Sequence, residues 1–331
     1  MKAQSLKPRA AKKTWPRRSS GGTLSELMNA DWPELSDLLL STDPATLQRL
    51  PVRRENVREV LRPHGMRTAE RILDSIPGGE VLDEATVDGI LVRSHCELQR
   101  LSFEFRNGQR LLQLLKPVLE VLRARLEGPI RIVDIGCGMG FVLRWLAAYG
   151  GLGDDVELLG CDFNPTLIAN AERLAREESL RCRFRVANAF TLERHAHVFL
   201  STGVIHHFRG QELVEFFRGQ AGVGASALLH CDIKASWAAP LGSWLFHQAR
   251  MREPLAQHDG VLSAVRAHPR DVLLEAARAG GRPLKYALFD GRPSPLPILR
   301  SLNTLVGLAP ELDAPFREKL GALNARLEAF A

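Results

Sequence analysis

Ile132-Val133-Asp134-Ile135-Gly136-Cys137-Gly138-Met139-Gly140 is the stretch whose reading decides the fold. A β-rich apolar run passes directly into Gly-x-Gly-x-Gly and then into the amphipathic segment 141–149. That grammar, strand, tight glycine turn, helix, puts a sharp bend at the carboxyl end of a buried strand, where a ligand can approach the backbone closely. A dinucleotide fingerprint would require its last glycine at position 141, which is Phe141, and no Gly-Lys-Ser/Thr phosphate loop is present.

Outward from the loop, β-rich runs alternate with helical ones. Residues 131–135, 156–161, 183–187, 198–202 and 225–233 read as strands, and 141–149, 165–178 and 208–220 as helices. The rhythm predicts right-handed crossovers and a mainly parallel sheet covered on both faces. Residues 283–290 are expected to return as a late strand on the antiparallel edge. Upstream, residues 23–127 read as several short helices punctuated by Pro33, Pro44, Pro51, Pro63 and Pro77. They lead into one long helix with Leu98, Leu101, Phe105, Leu112, Leu115, Leu119 and Leu122 on a single buried face. Residues 310–331 read as a terminal helix with Leu312, Phe316, Leu320, Leu323 and Leu327 on one side.

Composition sets the outer bounds. The chain has 331 residues, 45% hydrophobic and 25% charged, and its longest apolar stretches fall far short of a membrane span. Five scattered cysteines without a CxxC pair suggest neither a disulfide framework nor a zinc ribbon, so a cytoplasmic location is expected. Residues 1–22 carry seven cations and no acid. The formal charge of +6 less those seven leaves the remaining 309 residues at −1, so the body does not ask for nucleic acid. The basic tail reads as a disordered solubilising arm or as a contact for nucleic acid, anionic lipid or an acidic partner.

The glycine loop closely resembles motif I of the class I S-adenosylmethionine-dependent methyltransferases, and three further elements follow in order. Leu158-Leu159-Gly160-Cys161-Asp162 ends a second strand in an acid, Arg183 to Phe190 matches the third-strand pattern with Asn188 in place of the usual Asp, and Phe199 to Phe208 resembles the fourth-strand motif of small-molecule methyltransferases of the ubiquinone/menaquinone-biosynthesis type. The resemblance covers residues 95–290. It implies a Rossmann-like three-layer α/β sheet of about seven strands, the last antiparallel, over residues 128–309, with a helical region at 23–127 that closes over substrate or mediates dimerisation. S-adenosylmethionine is the implied cofactor, held by Asp134, Gly136, Cys137, Gly138, Gly140, Asp162, Phe163, Asn188, Ala189 and Ser201. In that family the Asp162 position takes the ribose hydroxyls, the Asn188 position the adenine amino group, and Phe163 packs on the adenine.

Methyl transfer then needs the acceptor atom held in line and, for a hydroxyl or ammonium acceptor, a base. His206 and His207, after the fourth strand, and His258 are the catalytic candidates; His230 and Asp232 lie near the same rim. Adjacent side chains diverge, so at most one of His206 and His207 should face the site, and no third ligand is spaced to make the pair a metal centre. Residues 235–265 form a long insertion expected to cap the substrate, with Arg250, Arg252, His258 and Arg266 as residues of interest and a plain amphipathic helix sealing the core as the alternative. Absence of Asn/Asp-Pro-Pro-Tyr/Phe after the fourth strand favours a small-molecule acceptor with an oxygen, nitrogen or carbon nucleophile. An RNA methyltransferase using the basic arm, and a non-catalytic cofactor-binding protein, are the rivals.

Overall fold

The structure is a computed structural model that describes residues 32–192, 196–280, 284–291 and 301–329. The basic tail at 1–22 lies outside the described residues. At the centre is strand β3 (Ile130–Ile135), whose side chains are buried at every position but Arg131. Such a run suits only a strand covered on both faces. β4 (Val156–Asp162), β5 (Arg183–Val186), β6 (Val198–Thr202) and β7 (Ala227–Ile233) join it in parallel, in the order β7-β6-β3-β4-β5. The crossovers run through α6 (Phe141–Tyr149), α7 (Pro165–Glu177) and α8 (Gln211–Gly222). Asn164 starts α7 by accepting the amides of Thr166 and Leu167 ahead of a first-turn Pro165, which satisfies donors that would otherwise be left bare.

Beyond β7 the topology departs from the expectation. The strand read at 283–290 is present as β8 (Lys285–Phe289), but the reversed strand beside β7 is β9 (Leu302–Leu308), unanticipated from sequence. β9 lies between β7 and β8 and is antiparallel to both, so β8 runs with the parallel set. The terminal helix is also shorter: α12 (Pro310–Leu320) gives way to a 3-10 turn and to β10 (Leu327–Ala329), which pairs antiparallel with β8. Leu327 therefore belongs to an eighth strand and not to the helical face. The result is the expected Rossmann-like three-layer α/β fold, with an eight-stranded sheet flanked by helices.

Upstream of β3, the short helices α1 (Leu35–Leu39), α2 (Arg54–Leu61) and α3 (Arg67–Ser75), with the ribbon β1 (Ser41–Thr42) and β2 (Arg49–Leu50), precede two long helices. The single long helix anticipated over 98–122 is broken into α4 (Glu84–Glu104) and α5 (Asn107–Arg123) by Arg106 in the left-handed region, φ 55°. The two halves bury different things. Helix α5 contributes Leu111, Leu115, Leu119 and Leu122 to the core around the sheet. Helix α4 turns Val87, Ile90 and Leu91 into a second core and leaves Leu98 exposed. That second core also contains Leu255 and Leu262 of α10 (Pro254–Val265), which follows α9 (Ala239–Arg250). The insertion at 235–265 thus shares a core with the N-terminal helices. α11 (Arg270–Ala279) completes the helical layers.

Candidate functional site

The bend after β3 is held by three glycines at positive φ: Gly136 at 67°, Gly138 at 52° and Gly140 at 71°. Side chains rarely adopt that region, and here there is no room for one. A Cβ on Gly136 would lie 2.7 Å from Val204 Cγ2, one on Gly138 2.6 Å from His95 Cδ2, and one on Gly140 2.3 Å from Phe184 Cε1. The loop is therefore walled by the turn after β6, by α4 and by β5.

Asp162, at the tip of β4, meets the loop directly. Its Oδ2 accepts the Gly138 amide at 2.9 Å and its Oδ1 accepts the Asn164 amide at 2.9 Å. Burial pushes its carboxyl up, while the two amides favour the charged form. Each oxygen keeps a further lone pair for another donor. Asp134, inside β3, is buried, with an Oδ1 that lacks a hydrogen-bond partner, and burial followed by the nearby Asp162 raises its pKa well above the ordinary carboxylate range. Cys137 donates its backbone amide to Cys161 O at 3.0 Å, and burial pushes its thiol up, so it is a neutral wall of the loop. Phe163, 44% exposed, flanks Asp162.

The other three cofactor candidates, Asn188, Ala189 and Ser201, are engaged elsewhere. Asn188 Oδ1 accepts the Phe190 amide at 2.9 Å, an Asx turn, and its amide donates to Pro44 O at 3.4 Å; Ala189 lies within that turn. Ser201 is fully buried and its hydroxyl donates to His230 Nδ1 at 2.8 Å, while His230 Nε2 donates to Gln220 Oε1 at 2.8 Å. Ser201 thus faces a polar network between the sheet and α8, and has no surface toward the loop.

The histidine candidates separate. His206 is buried; Asp232 accepts both its backbone amide, 3.1 Å, and its ring Nδ1–H, 2.7 Å. Against the pull of burial, His206 holds the Asp232 carboxyl down to about 2. His207 Nδ1 donates to Asp37 Oδ1 at 2.9 Å and lies 3.7 Å from Glu34 Oε2. Burial opposes its charge, yet Glu34 and Asp37 prevail and its pKa is pushed up to about 10. A histidine whose proton is held by two carboxylates is a poor general base near neutral pH. His258 is held by Asp259 at 2.6 Å, and Asp259 accepts the amides of Leu35 and Ser36. It belongs to the seam between α10 and α1.

Arg266 is likewise structural. Buried, it donates to the carbonyls of His206, His207 and Trp32 at 3.0, 2.6 and 2.8 Å, which fixes the turn that carries the two histidines. Arg250 pairs with Glu104, and Arg252 uses its backbone amide on Glu97.

One residue that no motif marks stands against the loop. His95 of α4 donates Nδ1–H to Leu91 O at 2.9 Å, leaving Nε2 as an acceptor 3.0 Å from where a Gly138 Cβ would be. Burial lowers its pKa, so it is a neutral imidazole. Its spacing on α4 marks nothing; only the packing of α4 over the loop discloses it.

Residues 132–223 match the family model described as a methyltransferase domain. The match begins in β3 and ends just past α8, less than a third of the chain, and takes in the glycine loop, Asp162, Asn188 and the two histidines. S-adenosylmethionine is the cofactor that this methyltransferase domain indicates. No curated protein matches the chain. Similar solved structures include a TehB-like SAM-dependent methyltransferase of Corynebacterium glutamicum, 15% identical over 62% of this chain and 98% of that one, TM-score 0.38. Magnesium protoporphyrin IX methyltransferase of Synechocystis with bound SAH is 16% identical over 77% and 98%, TM-score 0.42. The [4+2]-cyclase SpnF is 19% identical over 60% and 61%, TM-score 0.38. Likenesses this distant carry nothing about substrate or chemistry. Among the described residues no helix is long and apolar enough to cross a membrane.

Proposed function

We propose that the chain is an S-adenosylmethionine-dependent methyltransferase acting on an oxygen, nitrogen or carbon nucleophile of a small molecule. The observation that carries this reading is the 2.9 Å bond from the Gly138 amide to Asp162 Oδ2, which draws the glycine bend and the second-strand acid into one cradle.

The residues fit such a ligand. The positive-φ glycines carry the chain through a bend too tight for any side chain, with Gly136 only half-buried at its start. The free lone pairs of Asp162 suit two ribose hydroxyls, and Phe163 offers an exposed ring for the base. His95 Nε2, a neutral acceptor above Gly138, suits the ammonium of the amino-acid end. Asn188 can receive the adenine amino group only on the lone pair that its turn leaves free.

When bound, the cofactor supplies a methyl carbon already activated by a sulfonium. What falls to the chain is to hold the acceptor in line and keep water out, and such positioning contributes several kcal/mol. Asp134 and Asp162, 3% and 7% exposed, give the cradle a water-poor floor. With the His207 proton held by two carboxylates, we assign no proton transfer to the two-histidine turn.

Calorimetry with S-adenosylhomocysteine tests the reading. Wild type is expected to bind one equivalent, and both Asp162→Ala and Gly138→Val to lose at least about tenfold in affinity, consistent with removing charge-assisted bonds worth about 1.5–3 kcal/mol. Wild type that does not bind, or variants that bind unchanged while melting normally, would overturn it.

A further inference from the structure

A second constellation lies beside the cradle and serves no step of the proposed transfer. Glu34, at the start of α1, reaches the turn after β6: its Oε1 is 3.6 Å from His206 Nε2 and its Oε2 is 3.7 Å from His207 Nδ1. The sequence reading found no third ligand for the two histidines because Glu34 is far away along the chain. The fold supplies it, and one ligand atom from each of the three residues lies within 4.8 Å of the others.

We propose that Glu34, His206 and His207 bind one divalent transition-metal ion of the zinc type, which displaces the proton that His207 Nδ1 otherwise gives to Asp37. The first support is orientation. His206 gives Nδ1–H to Asp232 Oδ1 at 2.7 Å, which fixes the tautomer and turns the Nε2 lone pair toward Glu34. A carboxylate behind a ligating imidazole is the arrangement that sets ring direction and strengthens the nitrogen as a ligand.

The second support is an unsatisfied group. Glu34 is 2% exposed and its Oε1 has no hydrogen-bond partner. Arg266 Nε stands 3.8 Å away, beyond hydrogen-bond reach, with its own donors given to the carbonyls of Trp32, His206 and His207. A bare buried carboxylate oxygen is costly, and a cation between Glu34 and the rings would relieve it.

Charge and donor type agree. Glu34, Asp37, Asp232 and Asp259 converge on this turn, and Arg266 is the permanent cation among them. Ligands around an ion with bonds of about 2.0–2.1 Å lie about 3.4 Å apart, and the two Glu34 oxygens come to 3.6 Å from His206 Nε2 and 3.7 Å from His207 Nδ1, so the carboxylate spans both rings at nearly that spacing. Two imidazoles with a carboxylate favour zinc-type ions over magnesium or calcium.

The test uses the full chain stripped with a chelator, titrated calorimetrically with ZnCl2 and spectroscopically with CoCl2. We expect one ion per chain, a visible cobalt spectrum without the near-ultraviolet band of thiolate ligation, and displacement of cobalt by zinc. Glu34→Gln and His207→Gln should each weaken binding at least tenfold, and Asp232→Asn about 10–100-fold through loss of ring orientation. His207 is partly exposed, so its variant should fold even if the Glu34 variant does not, and circular dichroism checks both. No saturable binding in wild type, a thiolate band, or undiminished binding in folded His207→Gln would each overturn the proposal. The readout does not depend on methyl transfer, so it stands or falls apart from the enzymatic reading.

Discussion

His95 shows how one residue acquires a role from its surroundings. On α4 it is an ordinary helical histidine, but its Nδ1–H is spent on Leu91 O and burial keeps the ring neutral, so a single acceptor nitrogen faces Gly138. His95→Phe keeps the ring volume and removes that acceptor. We expect affinity for S-adenosylhomocysteine to fall roughly three- to tenfold with the melting temperature little changed, as calorimetry and thermal melting would show; the estimate follows from one hydrogen bond of about 1 kcal/mol. His207 shows the reverse. A histidine on the cofactor rim reads as a base, but Glu34 and Asp37, invisible as neighbours in the sequence, raise its pKa to about 10 and hold its proton.

At the scale of an element, the junction of α4 and α5 is the instructive case. The leucine spacing from 98 to 122 is continuous, so periodicity alone reads one helix. The chain breaks because α4 must bury its face against α10 while α5 buries its own against the sheet, and Arg106 takes the left-handed conformation that turns one axis into the other. A side chain there costs about 1–2 kcal/mol. Arg106→Gly should relieve it, and after the added unfolded-state entropy of glycine the net gain should be about 0.5–1 kcal/mol. Denaturant unfolding should show a higher midpoint with an unchanged slope; a lower midpoint would mean that the arginine side chain itself holds the junction. β9 is the other element that escaped sequence reading, because its direction is set by pairing with β7 and β8 on either side.

For the whole molecule, buried neutral histidines couple folding to pH. His230, bonded to Ser201 and Gln220, has its pKa lowered by burial to about 3, and His268 is lowered chiefly by burial, then by Arg209, to about 4. Unfolded, both would take up a proton near pH 6.5. Below that pH the unfolded chain binds more protons than the folded one, so their contribution to stability is intact above about 6.5 and is lost as pH falls toward 4. Each should cost about 2 kcal/mol by pH 5, from 1.36 kcal/mol per unit. Urea midpoints at pH 7 and pH 5 should therefore differ, and His230→Asn should show a smaller difference; an equal one would place the acid sensitivity elsewhere.

What could be read from the sequence was whatever depends on neighbours along the chain. The glycine bend, the strand ending at Asp162, the alternation that makes a parallel sheet, and the placing of two histidines after β6 all follow from local spacing, since backbone geometry and burial period act over a few residues. Contacts between distant segments were decided by packing alone. Glu34 beside His206, Asp259 capping α1, α4 laid over Gly138 and β9 between β7 and β8 bring together residues from a dozen or more to over two hundred positions apart. Their partners are chosen by which apolar faces remain to be buried and which polar groups remain to be satisfied once the sheet has formed, and no local pattern records that choice.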